Sequence, residues 1–129
     1  MFVKVRRAFT VISIVFLLGL FTIPSLYLKD RCKELDRLCD QVLSAAGSKD
    51  QAAAREAYGA LTEVYEDMRR KAELFLDHQV MDDATTPLKL MGVYLEAEDP
   101  VSLKAEAAAF RQALQCMLSI ETGDIRLLL

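Results

Sequence analysis

The chain has no tryptophan, one histidine, three prolines, five glycines and three cysteines among its 129 residues. Each scarcity removes a class of explanation. With His78 alone and no CxxC spacing among Cys32, Cys39 and Cys116, a zinc site lacks its ligands. Cys32 and Cys39 lie seven positions apart on one helical stretch, about 10.5 Å along the axis, too far for a disulfide between them. Either is free to pair with Cys116 in an oxidising compartment; in a reducing one all three serve as small core residues. Ser48, Ser102 and Ser119 stand in no GxSxG context, and no glycine-rich loop exists to cradle a phosphate, so no catalytic residue, cofactor or enzymatic activity is expected. Basic charge is also short. Setting aside Lys4, Arg6 and Arg7 leaves 13 basic against 19 acidic residues, a net charge of −6, and the basic residues alternate with carboxylates along helical faces, which argues against nucleic acid.

What the chain does contain is a run of 21 residues, Ala8 to Leu28, without a charged side chain. Lys4, Arg6 and Arg7 precede it; Lys29, Asp30 and Arg31 follow it. As a helix it would measure about 31 Å, near the thickness of a bilayer core and longer than the roughly 7 to 15 residues of a signal-peptide core. This predicts a basic tail over 1–7, an uncleaved single-pass transmembrane signal anchor over 8–28 in contact with the lipid bilayer, and one domain over 29–129. The short basic tail places the N-terminus in the cytoplasm and the domain outside the cell membrane, although Lys29, Arg31, Lys33 and Arg37 weaken the positive-inside bias.

Beyond the run, apolar residues recur in steps of three and four. They fall at Leu28, Cys32, Leu35, Cys39, Val42 and Ala46; at Ala54, Tyr58, Leu61, Tyr65, Met68, Ala72 and Phe75; at Met81, Ala84, Leu88, Met91 and Leu95; and at Leu103, Ala107, Phe110, Leu114 and Met117. These stripes predict helices over about 29–46, 49–77, 80–97 and 100–122. Gly47 is read as a left-handed cap, Ser48 with Gln51 as a capping box, Pro87 as a kink or a true helix start, and Asp99-Pro100 as an N-cap with proline in the first turn. No segment alternates with period two. The expected fold is all-α: an N-terminal transmembrane helix followed by a small antiparallel up-down bundle.

That topology gathers three features at the end of the bundle nearest the anchor. They are the close of the second helix with Arg69, Arg70, Lys71 and Phe75, the turn bearing His78, and the tail with Ile125 and Leu127. They form a candidate interaction surface. The plainer readings are a solvated basic face partly paired with Glu66 and Glu73, and a leucine tail that completes the core. His78 with Asp82 four residues on offers at most an underspecified cation site, and no metal site is assigned.

The order of features, with KAELFLDHQVMDD, then LMGVYLEAEDPVSLKAEAAAF, then LQCMLSIE running into DIRLLL, resembles a family of small, uncharacterised, single-anchor helical membrane proteins of spore-forming Gram-positive bacteria. His78 and Ile125 match its most recognisable positions, with Asp124-Ile125 standing where the family has Asn-Ile. The resemblance implies a tethered helical domain of unknown function, with a multi-pass membrane protein as partner. The expected function is therefore an interaction or scaffolding role at the membrane-proximal end; the alternative is an extracytoplasmic sensor or small-ligand-binding bundle.

Overall fold

Among the described residues the apolar stripes become four α-helices: α1 Phe2–Gly47, α2 Gln51–Ala72, α3 His78–Glu96 and α4 Pro100–Leu128. The computed structural model describes the backbone of residues 2–74 and 76–128, with side chains except at 21, 22, 24, 25 and 120–128. The helices run up, down, up and down. α1 packs most closely on α2 and α3 on α4, so the bundle is two helical hairpins face to face; α1 meets α4 along one seam, while α2 and α3 are the neighbouring pair that approaches least.

One core joins the hairpins. Leu28, Leu35, Cys39 and Val42 of α1, Leu61, Tyr65 and Met68 of α2, Met81 and Met91 of α3, and Leu103, Phe110 and Met117 of α4 are buried. The Tyr65 and Phe110 rings meet edge to face at 5.6 Å, linking α2 to α4 across the centre.

The transmembrane anchor expected at residues 8–28 is not supported. Among the described residues no helix is long and apolar enough to cross a membrane. The stretch in question is the first part of α1, which continues unbroken from Phe2 to Gly47. The charge-free residues are not a separate element: the same helix goes on into the bundle, where Leu28, Cys32 and Leu35 are buried in the core. Extending the stretch toward the N-terminus takes in Arg7, Arg6 and Lys4. The same finding removes the single-pass and signal-anchor readings.

Helix limits also differ from expectation in places. α2 stops at Ala72 because Glu73 and Leu74 turn the chain, and Leu76 folds back into the core. Pro87 lies inside α3, which starts at His78 after Asp77, and α4 passes through Gly123 to Leu128.

The two hairpin turns share one construction. After α1, the amide of Lys49 donates to Ala46 O at 3.2 Å and that of Asp50 to Ala45 O at 3.0 Å; after α3, the amides of Glu98 and Asp99 donate to Leu95 O at 3.2 Å and Tyr94 O at 3.0 Å. Both are Schellman closures. The left-handed residue in them is not a glycine: Lys49 has φ 60° and Glu98 φ 54°, and among the described residues no glycine has positive φ. Gly47 is the last helical residue instead. Asp50, not Ser48, caps α2, accepting from the Ala53 amide at 3.1 Å. Asp99 caps α4, accepting from the Ser102 amide at 3.2 Å and its hydroxyl at 2.7 Å; these hydrogen bonds hold its carboxyl below the usual range.

A side chain in the left-handed region costs about 1–2 kcal/mol, and glycine there gives back about 0.5–1 kcal/mol through its greater unfolded-state freedom. Lys49→Gly is therefore expected to raise stability by about 0.5–1 kcal/mol in urea unfolding. A loss of stability would show that the lysine side chain supports the turn.

Candidate functional site

Lysine and arginine in the last turn of a helix face its negative dipole end, and α2 ends with Arg69, Arg70 and Lys71. Their charge is largely answered by carboxylates of α2 and its C-cap, Glu73. Arg69 pairs with Glu66 at 3.6 Å and Glu73 at 3.4 Å, Arg70 with Asp67 at 3.8 Å, and Lys71 with Asp67 at 3.3 Å. Lys71 Nζ also sits 5.4 Å from the centre of the Tyr27 ring, which sets the end of α2 level with the point where α1 enters the core. His78 is the first residue of α3 and is exposed. The structure thus places Arg69, Arg70, Lys71 and His78 around one end of the bundle, with α4 returning toward it. Phe75 and the side chains of Ile125 and Leu127 lie outside the described residues. Among the described residues no group of three or more His, Cys, Asp or Glu is arranged to hold a metal ion.

From this end α1 projects as bare helix. Phe9 is 72 % exposed, Ile12 66 % and Phe16 66 %, with Leu17, Leu18 and Leu20 also open. These positions point in different directions around the helix, so it is apolar on every side.

At the opposite end lies a feature that the sequence did not disclose. The two Schellman turns flank a cleft of about 350 Å³, walled by Ala46, Tyr94, Leu95, Pro100 and Leu103 and rimmed by Lys49, Gln51, Glu98 and Asp99. It joins the hairpins and is braced across them. Gln51 Nε2 donates to Leu95 O at 2.9 Å, and Arg55 makes a two-pronged pair with Glu96 at 3.0 and 2.8 Å. The period of a stripe says which face is buried, not how two turns from distant parts of the chain lie against each other.

Along the α1–α4 seam, Arg111 reaches Asp36 at 2.9 Å and also bonds Asp40. Beneath it Cys32 and Cys39 are buried, and burial pushes their thiols up to about 11 and about 12. They stay protonated at neutral pH and act as core residues. All three cysteines are free thiols, with Cys116 exposed on α4, so no disulfide joins it to Cys32 or Cys39.

Comparison with known proteins adds a family and no activity. A family model described as a domain of unknown function, DUF4363, matches residues 22–126. No curated protein and no solved structure matches the chain.

Proposed function

We propose, on the premise that the chain belongs to the DUF4363 family of domains of unknown function, that it is an interaction or scaffolding protein. It binds a partner through the projecting half of α1 and the adjoining end of the bundle. One observation carries the reading: among the described side chains of the first half of α1, large apolar ones are exposed on all sides, from Phe2 to Leu20 and again at Ile23 and Leu26. A helix bare in this way buries nothing of its own and gains stability only when something apolar covers it. The partner therefore has an extended apolar surface of the kind an integral membrane protein presents. His78 and the basic end of α2 stand where that partner would meet the bundle.

The test is photo-crosslinking in intact cells from Phe16, from His78 and from Ser48 at the far end. The expected result is one protein captured from both Phe16 and His78 and not from Ser48. Capture of different proteins from the first two positions, or equal capture from Ser48, would refute a single docking end.

A further inference from the structure

We propose that the cleft between the two hairpin turns binds a free amino acid with an apolar side chain, its carboxylate held by Lys49 and its ammonium by Glu98. The site lies at the opposite end of the bundle from the partner surface and does not depend on it.

Three observations converge there. The cleft, at about 350 Å³, sits at the small end of the roughly 300–1,000 Å³ typical of ligand sites, so it suits a ligand of one residue more than a larger one. Its walls are apolar and its rim carries opposite charges from the two sides: Lys49 from the α1–α2 turn and Glu98 from the α3–α4 turn. Neither of these takes part in an ion pair among the described residues, whereas the nearby Arg55 and Glu96 are paired with each other. Both carboxylate oxygens of Asp99 already accept hydrogen bonds from Ser102, which leaves Glu98 as the less engaged carboxylate of the rim.

The third observation is where the charges stand. Lys49 and Glu98 are the two left-handed residues of the chain, at φ 60° and 54° among the described residues. Glycine would be the less costly choice at both positions, and the chain spends a glycine two residues earlier, inside the helix at Gly47. Two matched departures from turn preference set a cation and an anion on facing lips of one cleft. A zwitterion with an apolar body complements all three parts, and a ligand of single charge leaves one lip unanswered.

The experiment uses the full chain in detergent and L-leucine as probe, read by thermal unfolding and calorimetric titration. Leucine is expected to raise Tm in a concentration-dependent way. Leucinamide, which lacks the carboxylate, and 4-methylpentanoate, which lacks the ammonium, are each expected to bind about tenfold more weakly or worse. Lys49→Gly and Glu98→Gly should each weaken leucine binding by at least about tenfold while raising the Tm of the unliganded protein, so that loss of binding is separated from loss of fold. No Tm shift at about 100 times a micromolar-range Kd, equal binding of the two singly charged analogues, or unchanged leucine binding in both glycine variants would each overturn the proposal. Failure here leaves the crosslinking result at the other end untouched, and the reverse holds.

Discussion

Replacing Tyr65 by alanine should cost about 3–5 kcal/mol, a large share of the roughly 5–15 kcal/mol that holds a small domain together. Tyr65 is fully buried, and it does two separable things. Its ring packs edge to face on Phe110, and its hydroxyl meets the Met81 carbonyl at 2.9 Å and Thr85 Oγ1 at 2.6 Å, while Thr85 in turn lies 2.8 Å from the same carbonyl. Two hydroxyl protons serve three contacts, so two hydrogen bonds exist at once and the third is an exchange partner. Removing the hydroxyl alone, as in Tyr65→Phe, leaves Thr85 bonded to Met81 O and should cost about 1 kcal/mol. Urea unfolding of the two variants divides the total into packing and hydrogen bonding. A Tyr65→Ala loss close to that of Tyr65→Phe would mean that the ring contributes little across the core.

The second large effect is a reversal of sign. Glycine within a helix normally loses about 0.5–1 kcal/mol relative to alanine, so Gly92→Ala in α3 would ordinarily stabilise. Here a Cβ on residue 92 would stand 2.6 Å from Tyr58 Oη and 3.0 Å from its Cζ. The Tyr58 hydroxyl reaches over Gly92 to donate to Leu88 O at 2.7 Å, and half-burial pushes its phenol up. Alanine at 92 displaces the ring and breaks that bond. We expect a net loss of about 1–2 kcal/mol, measured by chemical unfolding. In a Tyr58→Ala background the same substitution should turn neutral or stabilising, and the difference is the coupling between the two positions. A stabilising Gly92→Ala in the native background would show that Tyr58 yields at no cost.

These two tyrosines matter because α2 and α3 are the neighbouring helices that approach each other least. Tyr58 and Tyr65 bridge the gap, each bonding to a backbone carbonyl of α3. In the sequence both appear only as members of the α2 stripe. Periodicity fixed their face correctly but carried no information on what lay opposite, and Gly92 had no visible role until Tyr58 was set against it.

The same division runs through the rest of the chain. Among the described residues, those that recur every three or four positions from Leu28 to Met117 are buried or packed against the core, because a helix turns 100° per residue whatever its neighbours do. Helix ends were less legible. A capping signal is short, and Ser48, Asp50 and Gly47 all compete within four residues; the hydrogen bonds decide for Asp50 and for a left-handed Lys49. The charge-free run from Ala8 to Leu28 stands out by its length and by the charges that flank it. Length does not say whether the segment stands as a separate anchor or forms the beginning of a longer helix, and α1 is the latter. At the basic end of α2, helical spacing points to partial pairing with Glu66 and Glu73; the ion pairs include both and add Asp67, which answers Arg70 and Lys71.

The shared turn design has a further effect on spacing. In each hairpin the aspartate that completes the Schellman closure is also the cap of the next helix, so Asp50 and Asp99 are counted by both neighbours. No residue is left over to absorb a change in length. An inserted or deleted residue would rotate the following helix by about 100° against its hairpin partner and carry a charged face toward the core. The two turns act as fixed gears between the helices, and the register of the bundle, not its composition, is what they hold constant.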